Sequence, residues 1–438
     1  MGLGKLGVNA RRDGFLCDGK PFFWFADTCW SAFTSISLED WDYYLTRRAE
    51  QGMNVLQINT LPQWDRCLPD LGIWPYASED GVHFDWGAPN QEYWDRARTM
   101  CEMAVRAGIR PALVLMWCNY VPGTWGGMIA QRLGAEAMPR EEVRAHVARV
   151  IENLGEFDPV YVVTGDTDFK SDEAIAYYED ALDEVCRLAP GQLRTMHINR
   201  ANRDLPEQYL DRLDFYMFQP GHNYEGQPEA WQLPEDFRAK YPKKPMVNSE
   251  PCYEQMGASR NVYWRFTAQD CRASVWSSIL AGASAGVTYG AHGVWNWQTS
   301  RSTGSVLGEG FDMPFRWQEC LQFPGVWDFS AIPHVLRILG ASSADDAAAV
   351  EPAQELLDDD RAAIRVARVG EKVVAYVPRT TALKLKLDAG AAWHATVLDM
   401  EDKRIAQVPV RALDDGAGVR VAQHPFERDA LVVVEPAR

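Results

Sequence analysis

The sequence predicts a closed (β/α)8 barrel followed by a small all-β sandwich. Three observations predict it. Eight short apolar runs lie between residues 21 and 289, most of them separated by amphipathic helical patterns. Nearly every run ends in a polar or aromatic residue, as barrel strands do when their ends build a site. The composition then changes: of 17 tryptophans, only Trp393 lies beyond residue 330. The reading assigns residues 1–345 to the barrel and 346–438 to the sandwich.

The runs follow in order. Residues 21–26 (Pro-Phe-Phe-Trp-Phe-Ala) read as the first strand, and Ser37 with Asp40 as a capping box opening a helix of about 13 residues. Gly52 stops that helix, and Asn54–Thr60 is strand two. A long loop with Trp64, Trp74 and Trp86 leads to a helix over 91–107 and strand three, Arg110–Trp117. The next loop carries Asn119, Tyr120 and Trp125. Pro139 opens a helix that ends near Leu154, before strand four, Val160–Thr164. A helix over 171–187 precedes strand five, Arg194–Asn199. Strand six is Phe215–Gln219, and strand seven is Pro245–Asn248. A helix over 263–282 precedes strand eight, Val287–Tyr289. An open doubly wound sheet is the competing fold. No Gly-rich turn follows the first strand, so it lacks its marker. Beyond residue 361, the runs 362–369, 373–377, 382–387, 393–398 and 430–434 read as short strands divided by turns such as Asp415-Gly416. The expected role of this module is to pack on the barrel.

Composition narrows the function. The 438 residues are 47% apolar and carry a net charge of −17. That suits a large core and opposes nucleic acid, which needs a concentrated basic surface. No run is long and apolar enough to span a membrane, and the first residues lack a signal-peptide pattern. Nine cysteines with no Cys-x-x-Cys fit a reducing compartment. The expected location is cytoplasmic. No cofactor is expected, and self-association into a homo-oligomer stays open.

Strand ends supply the candidate site. In order they give Asp27 and Trp30, then Trp117 and Asn119, then Asp166 and Asp168. His197 and Asn199, Gln219 and His222, and Tyr253 beside Glu250 follow. Tyr289, His292, Trp295 and Trp297 complete the set. Aromatic faces stack on sugar rings, while amides, imidazoles and carboxylates hold hydroxyls. Asp166 and Glu250 form a carboxylate pair, the minimum equipment for cleaving a glycosidic bond. Bland readings stand beside these. Asp168 equally suits a helix cap, Asp27 a loop tie, His197 a donor to a backbone carbonyl, and Trp24 and Trp117 the core. Metal-dependent hydrolysis is the rival chemistry, using His197, His222 and His292 with Asp27, Asp166 and Asp168. The histidines fall singly, with no His-x-His, so no metal is expected. A serine nucleophile on an elbow is not expected either.

Five stretches resemble one family, the apiosidase-like glycoside hydrolases. They are Asp18–Trp30 (Asp-Gly-Lys-Pro-Phe-Phe-Trp-Phe-Ala-Asp-Thr-Cys-Trp), Gly52–Gln57, Thr164-Gly165-Asp166, Ser249–Glu254 (Ser-Glu-Pro-Cys-Tyr-Glu) and Thr288–Trp297. The tail resembles the β-sandwich that often follows such barrels. The resemblance implies a retaining mechanism, with Asp166 as acid/base and Glu250 as nucleophile. It also implies a carbohydrate partner. The strand-four motif of that family reads Gly-Gly-Asp, and here Thr164 replaces its first glycine. Asp168 remains the second choice for the acid. Retention requires the two carboxyls to stand about 5–5.5 Å apart. Long Trp- and Pro-rich insertions after strands two and three suggest a walled pocket and exo-action on a small glycoside. A non-catalytic carbohydrate-binding protein is the alternative from outside enzymology.

Overall fold

A computed structural model of the chain describes residues 2–258, 263–300, 313–361 and 363–437. Eight parallel strands form the barrel: β1 (Trp24–Thr28), β2 (Val55–Asn59), β3 (Arg110–Trp117), β4 (Val160–Gly165), β5 (Arg194–Thr195), β6 (Tyr216–Phe218), β7 (Met246–Asn248) and β8 (Gly286–Tyr289). They are hydrogen-bonded in the order β5-β4-β3-β2-β1-β8-β7-β6. Only the seam between β5 and β6 lacks a regular ladder among the described residues. It is stitched instead by single bonds, Asp214 N–H to the Arg194 carbonyl (3.0 Å) and the Thr195 hydroxyl to the Phe215 carbonyl (2.7 Å).

Two boundaries depart from expectation for physical reasons. The first strand begins at Trp24, not at residue 21. Lys20–Phe22 instead pairs antiparallel with Phe15–Cys17, which pairs with Leu6–Val8. This three-stranded flap covers the bottom of the barrel, where Phe15, Trp24 and Phe215 pack together. Asp27 consequently lies inside β1. Strand five stops after two residues. The Thr164 hydroxyl donates to the His197 carbonyl (2.8 Å), so a side chain takes the acceptor that a ladder amide would use. The threonine that replaces the family's glycine thus anchors the segment carrying His197.

The helices start where side chains can satisfy their first amides. Ser37 accepts from Asp40 N–H at the head of α1 (Leu38–Glu50), and only this half of the expected capping box is formed. Asn90 caps α2 (Gln91–Arg106), and α3 spans Arg140–Leu154. Ser171 caps α4 (Asp172–Leu188), a position open to Asp168 from sequence. Then come α5 (Glu229–Lys240) and α6 (Ala268–Leu280), the latter with a full capping box between Thr267 and Asp270. The chain leaves the barrel through α7 (Gly325–Leu339).

The C-terminal region is a two-layer antiparallel β structure. One sheet has the order β9-β10-β11-β17-β13-β14, with β9 at Val350–Pro352, β10 at Arg365–Val369, β11 at Lys372–Val377, β13 at Trp393–Asp399, β14 at Ile405–Val408 and β17 at Ala430–Pro436. The other has the order β12-β16-β15 (Leu383–Leu385, Val419–Val421, Val410–Ala412). The run expected from Ala362 begins at Arg365; Ala362 lies outside the described residues. The centre of the larger sheet is buried on both faces. Along β11, Val374 and Tyr376 join the barrel's core, while Val373, Ala375 and Val377 face the small sheet. A period of two along a strand makes this division automatic.

A buried ion cluster also joins the two parts. Arg272 of α6 forks onto Asp429 (Nε–Oδ2 3.0 Å, Nη2–Oδ1 2.7 Å) and reaches Asp328 of α7 (2.7 Å). The Tyr376 hydroxyl donates to Asp429 (3.0 Å), and Lys403 bonds Asp328 (2.7 Å).

Candidate active site

A cavity of about 510 Å³ opens at the C-terminal ends of the barrel strands. Nine of the sixteen residues expected at the mouth line it: Trp30, Trp117, Asp166, Asn199, Gln219, His222, Glu250, Tyr253 and Trp295. His197 stands directly behind the wall, and the remaining six lie elsewhere.

Glu250 is held from three sides in the cavity. The Tyr253 hydroxyl donates to its Oε1 (2.7 Å), and His222 Nε2 lies 3.0 Å from the same oxygen. His197 Nε2 stands 3.1 Å from Oε2, close but poorly aligned as a hydrogen bond. Burial alone would raise the carboxyl's pKa. The contacts from His197 and His222 outweigh burial and hold it well below the usual carboxylate range. Tyr253 is itself placed by the Trp30 indole N–H, which donates to its hydroxyl (3.2 Å).

The tautomers of both histidines follow from their other nitrogens. His197 Nδ1 accepts the Asp166 backbone N–H (3.2 Å), and His222 Nδ1 accepts the Tyr253 N–H (3.3 Å). An acceptor at Nδ1 puts the proton of a neutral imidazole on Nε2, the atom that faces Glu250. His222 therefore donates to the carboxylate, and His197 turns an N–H toward it. A metal ion at Nε2 would need the lone pair that this arrangement removes. His292, the third histidine of the metal reading, accepts instead from the Trp295 indole N–H (3.3 Å) and sets that ring's orientation.

Asp166 follows β4 with φ at +53°, a left-handed conformation uncommon for a non-glycine residue. Its carbonyl accepts the Trp125 indole N–H (2.7 Å), and Gln219 Nε2 donates to its Oδ1 (2.7 Å). Trp30 and Trp117 pack at 5.0 Å between ring centroids, and Trp64 meets Trp125 edge to face at 5.5 Å. Gly165 lets Trp117 lie flat, since a Cβ there would stand 2.2 Å from its ring. Gly290 does the same for Tyr253, where a Cβ would fall 2.0 Å from the ring. Gly290→Ala is therefore expected to cost about 1–3 kcal/mol of stability through overpacking. Urea unfolding measures it, and a loss below about half a kcal/mol would show that Tyr253 moves aside freely.

Residues expected in the site but found outside it have other partners. Asp27 is buried beneath the mouth, where Arg48 Nε (2.7 Å) and the Tyr44 hydroxyl (2.6 Å) both bond its Oδ2 and tie β1 to α1. Tyr289 donates to Glu254 (2.6 Å), and Trp297 stacks on Trp317 at 4.3 Å. These three serve the packing between barrel and helices. Successive side chains along a strand point to opposite faces, a direction that strand-end position alone does not disclose. Asn119 is buried in the turn after β3. Asp168 pairs with Lys170 (3.2 Å), away from the cavity wall.

The cavity also has walls that strand ends did not signal: Gln63, Trp64, Asp65, Trp125, Arg200, Gly221, Asn223, Glu225 and Met256. Asn59, at the end of β2, bonds Gln63, and Gln63 Nε2 donates to Asp65 Oδ1 (2.6 Å), which aligns a polar strip along the wall. The Trp- and Pro-rich loops were the signal for Trp64 and Trp125; nothing in the sequence marked Asp65. One Gly-x-Ser-x-Gly spacing does occur in the sequence. Gly282-Ala-Ser284-Ala-Gly286 fits Gly-x-Ser-x-Gly, but it leads into β8 at the barrel bottom rather than out of a strand, so it is no nucleophile elbow. Gly2-Leu-Gly-Lys-Leu-Gly7 has dinucleotide spacing but enters the bottom flap, with no helix behind it.

Comparison with known proteins agrees with this architecture. Two solved structures each match 99% of the chain with a TM-score of 0.77. One, described as a glycoside hydrolase, is 20% identical over 97% of its own length. The other, a glycoside hydrolase family 5 protein from Bacteroides vulgatus ATCC 8482, is 21% identical over 93%. A putative glycoside hydrolase from the same organism matches at 13% identity and a TM-score of 0.67, over 99% of this chain and 82% of that one. At these identities the likeness is one of fold, and it takes in the β-sandwich as well as the barrel. No curated protein matches the sequence. The model of the apiosidase-like catalytic domain matches residues 12–341. Because that span holds every barrel strand and the Asp166 and Glu250 carboxylates, the chain belongs to the apiosidase-like family and is a glycoside hydrolase.

Proposed function

We propose that this glycoside hydrolase is retaining and exo-acting, with Glu250 as nucleophile and Asp166 as acid/base. The observation that carries the reading is the set of donors gathered on one of two facing strand-end carboxyls that line one cavity. Glu250 is surrounded by donors and kept ionised, as an attacking carboxylate requires. Asp166 shares that cavity and takes the Gln219 amide at Oδ1, and in this reading its Oδ2 carries the proton toward a leaving group. In the first step Glu250 attacks the anomeric carbon as Asp166 protonates the departing oxygen. In the second, Asp166 takes a proton from water, and that water releases the sugar with its original anomeric configuration.

The size of the cavity supports exo-action. About 510 Å³ is the scale of a small-molecule site rather than a polymer cleft. Loops carrying Trp64 and Trp125 wall one side, and Asn223 and Glu225 line another. Asp65 and Glu225 bring the carboxylates of the lining to four, and Arg200 is the one Lys or Arg among its described residues, a balance that favours a neutral sugar. The nine cysteines form no disulfide among the described residues and seven of them are buried, which supports the expected reducing location.

A panel of aryl pyranosides and furanosides, with the first-formed anomer followed by NMR, tests the reaction. Inversion would remove Glu250 from the nucleophile role. A sugar complex showing an open groove with subsites on both sides would end the exo assignment. Asp166→Ala is expected to lower kcat/KM by about 10²–10⁴-fold on substrates with poor leaving groups. Activated aryl glycosides, which need no proton to depart, should lose far less. An equal loss across the leaving-group series would point to another acid.

A further inference from the structure

We propose that Gln219 is a positioning residue for Asp166, and that its amide reserves Oδ1 as the oxygen that does not carry the proton. The inference rests on the acid/base reading of Asp166. Gln219 follows β6, across the barrel's irregular seam. Its Nε2 donates to Asp166 Oδ1 (2.7 Å) and to the Ile198 carbonyl (2.9 Å). The second bond settles how the amide is turned. A carbonyl only accepts, so Nε2 and not Oε1 must face Ile198, and the same atom then faces Asp166. Both hydrogens of Nε2 are engaged. A proton on Oδ1 would point at a donor, so Oδ1 is the oxygen that stays unprotonated.

The scaffold behind Gln219 is equally fixed. Its carbonyl accepts Ala201 N–H (3.2 Å), and Asn199 N–H bonds the Thr167 carbonyl (2.8 Å). The segments 166–168, 197–201 and 219 are thereby stitched into one unit where regular strand pairing has ended. Gln219 is only 4% exposed, which keeps water from replacing its amide. Its expected place among sugar-binding residues changes accordingly, because its donor atom is spent on protein.

Several other groups face Asp166. His197 touches its backbone from the β5 side, and Cys118 lies nearby on the turn after β3. Asp168 with Lys170 follows it in the chain. Glu250, His222, Asp65 and Arg200 share its cavity. A hydrogen bond given to a carboxylate favours its ionised form, so removing one raises the pKa. The measurement is ¹³C NMR titration of labelled aspartate carboxyls in the full chain, with Asp166→Asn used to assign the resonance. Gln219→Leu should move the Asp166 midpoint up by about one pH unit. Gln219→Glu, nearly isosteric and available if the leucine variant does not fold, should move it further by placing a second carboxyl beside it. The alkaline limb of kcat/KM on an active aryl glycoside should shift by the same amount and in the same direction, with KM little changed. An unmoved midpoint in a folded variant overturns the proposal. So does a raised KM with an unmoved alkaline limb, which would return Gln219 to sugar binding. Failure of the acid/base reading would appear separately, as a shifted NMR midpoint with no leaving-group dependence in Asp166→Ala.

Discussion

Glu250→Ala is expected to lower kcat on any active aryl glycoside by on the order of 10⁴-fold or more, because it removes the group that forms the covalent intermediate. Folding should survive. The deleted carboxylate faces a cavity that admits water, so Tyr253 and His222 regain partners. Azide should restore turnover by attacking the anomeric carbon from the vacated side, giving a glycosyl azide of inverted configuration. Residual activity above about a tenth of wild type, far short of the loss set by a missing nucleophile, would show that another group attacks. The depressed pKa of Glu250 also has a consequence for stability. A carboxylate whose folded value lies below its unfolded one, about 4.3, contributes stability that is present above that pH. The contribution is lost as pH falls through the folded value. Wild type should therefore lose more stability than Glu250→Ala on acidification below about pH 4, as read by urea midpoints.

Arg272→Ala should be the most destabilising substitution outside the active site, costing about 3–5 kcal/mol. Arg272 is 2% exposed and forks onto Asp429, which is fully buried between barrel and sandwich, while also holding Asp328. Truncation leaves Asp429 with only the Tyr376 hydroxyl among its side-chain partners named above, and desolvated carboxylates without a counter-charge are expensive. The guanidinium stays protonated throughout. Although burial opposes its charge, Asp429 and Asp328 push its pKa up beyond the ordinary value. Chemical unfolding followed separately by tryptophan fluorescence and by far-UV circular dichroism measures the effect. Sixteen tryptophans precede residue 330, so fluorescence reports mainly on the barrel. A loss under about 1 kcal/mol would place water at the interface, as for a surface pair. Transitions that separate in the variant but coincide in wild type would show that this cluster couples the two parts.

The sequence by itself determined the barrel, the sandwich and the two carboxylates. Those features are local in origin. Apolar runs, capping residues and turn glycines act within a few positions of one another, and a carboxylate just past a buried strand lies at the C-terminal end of a parallel barrel. The matched stretches around Trp30, Asp166, Glu250 and Trp295 added their family on the same local evidence. Only the tertiary structure decided which strand-end residues share the cavity. Asp27, Tyr289 and Trp297 satisfy the same positional rule as Trp30, yet they pack against Arg48, Glu254 and Trp317. Asp65 and Gln63 satisfy no such rule, and they reach the wall because a long loop folds over it. The roles of His197, His222 and Gln219 were likewise set by partners distant in the chain. Which nitrogen or oxygen faces which is fixed by amides and carbonyls brought from neighbouring strands, and hydrogen-bond direction across a barrel has no signature in sequence spacing.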